Sequence, residues 1–296
     1  MSNFKQKLDK IAQDVNQYLK FFLSKQNKSF LLKPIKYGLF SGGKRFRTAI
    51  VVNTGKILNL KYKKLIVIGA AVECMHSYSL IHDDLPAMDN DDLRRGKLST
   101  HKKFNEFTAI LAGNSLLTLV FEILCSKDLK LREKQKNLLI NCIAKCSGHS
   151  GLAEGQYYDL AFENKKVSKE SILKIQTKKT GKLFGFCCES VGIATEQNLK
   201  KRKMLRQIGT DIGLLFQISD DLIDHVGTSK VVGKLTKKDR KRGKATLVSL
   251  IGAKKTKEFA YRLKKKIDLK INKINKINGK NKNLLQSVDF ILNRKF

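Results

Sequence analysis

Five of the ten positions from Asp83 to Asp92, within "IHDDLPAMDNDDLRRG", are aspartate, and Arg94 and Arg95 close the stretch. Asp83 and Asp84 end a long apolar segment, because Pro86 disfavours a helical conformation at Leu85. Asp89 follows six residues after Asp83; on an unbroken helix of about 3.6 residues per turn the two would not share a face, so the turn has to fold Asp89 back. A second cluster, "FQISDDLIDHVG", sets Asp220 and Asp224 one helical turn apart, with Asp221 three before Asp224. Crowded carboxylates repel one another unless a cation sits among them. Carboxylates without His or Cys at ligand spacing suit a hard ion, Mg2+ or Mn2+, rather than zinc. Mg2+ usually binds through one or two carboxylates, waters and substrate phosphates, so paired clusters imply a phosphate-bearing ligand. The plainer reading, aspartates capping helices and solvating turns, is preferred for Asp91 and Asp92 beside Asn90. It does not explain why both clusters follow long apolar helices.

The basic residues are as informative. "LFSGGKRFRTAI" places Gly42 and Gly43 ahead of a helix on which Lys44 and Arg47, three apart, are expected to share a face and offer two cations to a phosphate. The glycine spacing is not that of a Walker loop. His76 precedes Asp83 by seven residues, two turns back on roughly the same face; it is either a satisfied core histidine or a ligand contact. Arg94 and Arg95, being adjacent, point different ways and can hold different anions.

Helices must position these groups. Apolar residues recur at three and four spacing over 4 to 23, 46 to 60, 65 to 84, 107 to 125, 134 to 149, 170 to 192, 201 to 223 and 245 to 267, and strand-like alternation is hard to find. The chain therefore reads as nearly all helix, one domain over 1–296. The run "LIVIGAAVECMHSYSLI" carries Glu73 and His76 in its middle, which favours a buried helix with polar groups reserved for a task over a membrane span. Lys and Arg number 60 against 26 Asp and Glu, a formal charge of +34. Such a balance raises nucleic acid, an anionic membrane surface or a phosphorylated small molecule as partners, and charge alone does not choose among them. The lysine-rich stretch "KKKIDLKINKINKINGKNKN" keeps Leu263, Ile267, Ile271 and Ile274 at helical spacing and has no aromatic residue for base stacking, so it reads as a solvated surface helix and loop. The six cysteines form no Cys-x-x-Cys pair, and no secretory signal precedes them; idle thiols in a reducing cytoplasm are expected.

"GGKRFR", "AVECMHSYSLIHDDLPAMDNDDLRRG", "THKKF", "LAGNSLL", "EGQYYDL", "KTGKLF", "FQISDDLID" and "GKATL", in this order from about Tyr37 to Ile251, resemble the short-chain trans-prenyl diphosphate synthases. The resemblance implies an all-α, isoprenoid synthase-type bundle around a deep central cavity, with the two aspartate clusters facing each other across its mouth. It implies a homodimer, and isopentenyl diphosphate and allylic diphosphates as substrates. Three Mg2+ ions would be held by Asp83, Asp84, Asp89, Asp220, Asp221 and Asp224. Lys44, Arg47, His76 and Arg95 would hold the isopentenyl diphosphate, and Arg94, Lys179, Lys234 and Lys244 the allylic diphosphate, with Thr180 and Gln217 beside the reacting carbons. Tyr78, five residues before Asp83, and Ser79 would floor the cavity and stop the product mainly at fifteen carbons, geranyl or geranylgeranyl diphosphate being the alternatives. A tyrosine packed between helices for its area alone competes with that role.

Several positions depart from the family pattern: Thr48 replaces a proline, Asn90 interrupts an aspartate run, Glu154 stands for a glycine, His225 and Lys237 replace an apolar residue and a glycine, and Leu247 and Val248 a tyrosine and a proline. None removes a metal or diphosphate residue. A terpene cyclase would lack "GGKRFR" and carry an Asn/Ser/Glu motif in place of "DDLID". A basic nucleic-acid-binding protein would leave the buried aspartates unexplained, and an inactive subunit would not need both clusters. Neither nucleic acid nor an integral membrane association is expected.

Overall fold

The apolar spacing read over 4 to 23 folds as helix α1 (Ser2–Ser24) in the computed structural model, which describes residues 2–226, 243–274 and 281–293. Lys234 and Lys237 lie outside the described residues. The chain divides into two compact units, one made of Met1–Gly55 and Leu60–Lys136, the other of Lys56–Asn59 and Asn137–Phe296.

In the first unit α1 is followed by α2 (Leu32–Leu39), α3 (Phe46–Ile57), α4 (Tyr62–Asp83), a short antiparallel ribbon of β1 (Leu93–Arg94) and β2 (Lys97–Leu98), α5 (Thr100–Lys103) and α6 (Glu106–Cys125). Every residue of α4 from Leu65 to Met75 is buried, because α1, α2 and α6 pack around it. A helix enclosed on all sides needs no amphipathic stripe, and its sequence shows none. By length and composition α4 and α6 could each cross a membrane, yet 78% of the apolar window of α4 is buried inside the protein. Asn105 caps α6, its side chain accepting from the Thr108 N–H at 2.9 Å.

The second unit holds most of α7 (Glu133–Ser147), then α8 (Leu152–Ala161), α9 (Lys169–Gln176), α10 (Lys182–Ala194), α11 (Leu199–Val226), α12 (Leu247–Ile274, broken at Gly252, where φ is +78°) and α13 (Lys282–Asn293). The segment expected over 170 to 192 is helical throughout, α9 running on into α10 through a π turn at Thr177–Gly181 whose ends keep helical backbone angles. Apolar periodicity does not register one wide turn whose neighbours keep the helical path, and such turns gather at functional sites. α10 and α11 approach closely through glycine: a Cβ on Gly209 would stand 2.2 Å from the Phe184 carbonyl oxygen. Glu189 on α10, fully buried, is gripped by Arg206 and by Arg202 of α11, the latter at 3.4 Å.

The helices α2, α5, α8 and α13 were not among the periodic segments, and the ribbon is too short for alternation to reveal. The lysine-rich C-terminal helix is also less solvated than expected. Leu263, Ile267 and Ile271 of α12 are buried where it packs on α11 and α13, while Lys264 reaches Asp289 at 2.7 Å and Lys270 reaches Asp211. Long lysine stems let such a helix bury one face and keep its charges in water.

Gly209→Ala is predicted to destabilise the protein by ~1–3 kcal/mol, since the methyl group meets backbone that cannot rotate away. Urea unfolding should show a lower midpoint at unchanged slope.

Candidate active site

The turn after α4 is closed by four backbone hydrogen bonds. Met88 and Asn90 donate to the Leu85 carbonyl at 2.9 and 3.0 Å, Asp89 donates to Asp83 at 2.8 Å, and Asp91 donates to Asp84 at 3.1 Å. Asn90 takes φ +47°, a left-handed conformation that asparagine tolerates. Asp89 is thereby folded back beside Asp83, as the proline and the spacing require. Asp91 is not the solvated residue expected: it is 8% exposed and lies 3.6 Å from Arg94, whereas Asp92 is exposed and pairs with Lys102 at 3.0 Å. Arg94 turns into its own loop, donating from Nε to Asp84 Oδ1 at 2.9 Å and from Nη2 to the same carboxylate. Burial alone would lower the Arg94 pKa, but Asp84 and Asp91 outweigh it and raise it.

Arg95 occupies the ribbon turn at φ +55°. It donates to the Gly42 carbonyl and lies over Gly43, where a Cβ would meet its Nη1 at 2.6 Å. Gly42 and Gly43 both have φ near +100°, at +105° and +108°, so the loop requires glycine twice. Lys44 and Arg47 do not share a helical face. Arg45 between them is left-handed at φ +47°, α3 starts only at Phe46, and Lys44 stays exposed in the loop. Arg47, Arg95 and His76 are brought together: after burial, the charges of Arg47 and Arg95 press the imidazole pKa well below its ordinary value. Tyr78 is half-buried and meets His82 edge-on at 4.8 Å between ring centres, while Ser79 is buried and donates to the His76 carbonyl at 2.9 Å. Burial, then the Asp83 charge, raises the Tyr78 pKa, which places the ring near the first motif.

In the second unit Asp220 and Asp224 are half-buried one turn apart on α11, and Asp221 is buried on another face. Asp221 accepts from Gln176 at 2.6 Å and from Gln217 at 2.9 Å, and Gln217 in turn accepts from Thr180 Oγ1 at 2.9 Å. These residues line a narrow cleft together with Lys179, Lys244 and Asp159. Lys179 and Lys244 reach Asp159 at 2.6 and 3.2 Å. Burial would raise that carboxyl, but the two ammonium groups hold it below the usual carboxylate range. The π turn lies so close to α8 that a Cβ on Gly155 would sit 2.2 Å from the Lys179 amide nitrogen, and Glu154, in place of a glycine, pairs with Lys178. Sequence reasoning missed Asp159 and Gln176 as site residues, although "EGQYYDL" contains the first and "KTGKLF" lies just beyond the second. Lys234 cannot be placed, lying outside the described residues.

Among the described residues no group of three or more His, Cys, Asp or Glu side chains is arranged to hold a metal ion by itself. Pairs of oxygen donors fit instead a hard cation that binds through one or two carboxylates, waters and a substrate phosphate.

A sequence profile of polyprenyl synthetase matches residues 28–283. The chain belongs to the polyprenyl synthetase family. As a member it is a prenyltransferase, and its all-α architecture is the isoprenoid synthase fold. Farnesyl diphosphate synthase of Micrococcus luteus is 39% identical over 267 residues, 90% of each chain. Among solved structures, an FPP/GFPP synthase from Zymomonas mobilis aligns with a TM-score of 0.87 at 36% identity, covering 98% of this chain and 99% of that one. A geranyltransferase from Helicobacter pylori, complexed with magnesium and isoprenyl diphosphate, aligns with a TM-score of 0.83 at 29% identity, covering 97% and 98%.

His76 is predicted to stay neutral well below its ordinary pKa. Because its folded pKa lies under the unfolded value of about 6.5, the unfolded chain takes up the proton first and stability falls as pH drops through that value. The imidazole C–H signals missing from His76→Gln should not titrate between about pH 8 and pH 6; a midpoint near 6.5 would contradict the electrostatic arrangement.

Proposed function

We propose that the chain condenses isopentenyl diphosphate head-to-tail with dimethylallyl and then geranyl diphosphate, releasing diphosphate and giving mainly farnesyl diphosphate. The observation that carries the reading is the turn that sets Asp89 beside Asp83 in the same loop as Arg94 and Arg95. The Micrococcus luteus relative, a farnesyl diphosphate synthase, supports the product length. The metal is assigned as Mg2+, three ions with Mn2+ able to substitute, held by Asp83, Asp84, Asp89, Asp220, Asp221 and Asp224. Bound there, such ions would offset the charge that develops on the leaving diphosphate.

The protein's own groups do the rest. Lys44, Arg47, His76 and Arg95 hold the diphosphate of isopentenyl diphosphate; His76, kept neutral, donates a hydrogen bond rather than a charge. Lys179 and Lys244, with Lys234 and Arg94, bind the allylic diphosphate and stabilise it as the C1–oxygen bond breaks. Arg94 reaches it by exchanging Asp84 for phosphate oxygens. Thr180 donates its hydrogen to Gln217, so the lone pairs of its oxygen are what a carbocation in the cleft would meet. The isopentenyl double bond attacks C1, and the proton lost from the new cation passes to the departed diphosphate. Exclusion of water matters because water would quench the cation.

A cytoplasmic location is supported by six cysteines kept as thiols rather than joined in disulfides. A homodimer is supported by α6, which leaves Phe107, Ile110 and Leu111 exposed along one face.

Purified protein incubated with isopentenyl and geranyl diphosphates should yield a fifteen-carbon alcohol after dephosphorylation, only with Mg2+ present. No metal-dependent prenyl alcohol would sink the reading. Asp83→Ala is expected to cost at least about 10²-fold in kcat, as loss of transition-state charge stabilisation does. Tyr78→Ala should lengthen the product, and unchanged farnesyl diphosphate would remove Tyr78 from its role.

A further inference from the structure

Glu73 sits in the middle of α4, 2% exposed, and the chemistry above makes no use of it. Its Oε2 lies 3.3 Å from Arg45 Nη1, and its Oε1 accepts from the Thr48 backbone N–H at 3.2 Å and from Thr48 Oγ1 at 2.9 Å. Arg45 is held further by Asn16, which accepts from Nε at 2.9 Å, and by the Leu39 carbonyl, which accepts from Nη2. Its left-handed backbone lies between Lys44 and Phe46, so pinning this guanidinium sets the path of the loop that carries Lys44. On the other side, Thr48 is the third residue of α3, where backbone N–H groups have no partner inside the helix. Glu73 supplies the acceptor from a different helix, and its negative charge suits the positive end of α3.

One carboxylate therefore grips the Lys44–Arg47 segment at Arg45 within it and at Thr48 directly after it. It is also the anion that opposes the charges of Arg45, Arg94 and Arg47 acting on Arg95. Thr48 is specific to this arrangement. The proline it replaces in the family pattern has neither an N–H nor a hydroxyl to give.

We propose that Glu73 is a positioning residue for the diphosphate of isopentenyl diphosphate, acting through Arg45 and Thr48 on the loop that presents Lys44 and Arg47. The proposal rests on the function proposed above and deepens it, because it separates the two substrates: the geranyl diphosphate side does not depend on this loop.

Glu73→Gln keeps the shape and one acceptor while removing the charge; Thr48→Val keeps the N–H and the volume while removing the hydroxyl. In the full-length protein the KM for isopentenyl diphosphate should rise about tenfold in Glu73→Gln and about threefold in Thr48→Val, with the KM for geranyl diphosphate changed by less than about twofold. Calorimetry with isopentenyl diphosphate alone should show the same ranking, and Arg45→Gln combined with Glu73→Gln should recover part of the loss by removing both buried charges. Equal rises in both KM values would mark a merely structural role and overturn the proposal. If Glu73→Gln does not fold, Thr48→Val decides: an unchanged isopentenyl diphosphate KM overturns it. Wild-type protein that neither binds nor turns over isopentenyl diphosphate would overturn the proposed function and this role together, whereas wild-type binding matched by both variants would overturn this role alone.

Discussion

The hydrogen bond from the Asp89 amide to the Asp83 carbonyl closes the chain on itself just where α4 stops, and the first motif depends on it. Without that turn, six residues of chain would carry the second carboxylate away from the first. Pro86 ends the helix, the left-handed Asn90 redirects the chain, and the Asp91 amide ties it to Asp84. Arg94 then returns along the ribbon to hold the Asp84 carboxylate. Arg94 is placed against both Asp84 and Asp91, which is why these buried aspartates are tolerable in a loop that holds more acid than base.

The second unit solves the same problem differently. Its aspartates need no turn, since α11 sets Asp220 and Asp224 one helical turn apart, and amides rather than guanidinium hold Asp221. The cations come from the π turn and from the segment before α12, with Asp159 keeping Lys179 and Lys244 together. A chain carrying +34 of formal charge could have scattered these groups over its surface. Arg94 is paired with Asp84, and Lys179 and Lys244 share Asp159, so these cations are held against carboxylates. Buried pairs of this kind resist loss of one partner strongly, at about 3–5 kcal/mol, though they add little over an apolar packing.

What was legible in the sequence is what local physics decides. A proline two residues after an aspartate pair announces the turn, and three-and-four spacing announces α1, α3, α4, α6, α7, α11 and α12. What was not legible depends on partners distant in the chain. Arg45, left-handed and paired with Glu73, precedes α3, so Lys44 falls outside the helix that spacing alone gave it. The burial of Asp91 depends on Arg94 arriving from a ribbon two residues per strand long. The π turn widens the helical path between α9 and α10 without disturbing the apolar pattern, and with it come Asp159 and Gln176. The resemblance named loops by their motifs; side-chain pairing inside them required the structure.

The central claim is that both aspartate motifs and the cations beside them act on the diphosphates of one substrate pair. The most direct measurement is a crystal structure with isopentenyl diphosphate, a non-cleavable allylic thiodiphosphate and Mn2+, read by anomalous scattering. The account predicts anomalous peaks at Asp83 and Asp89 and at Asp220 and Asp224. Both diphosphates bound with no metal at either aspartate motif would contradict it.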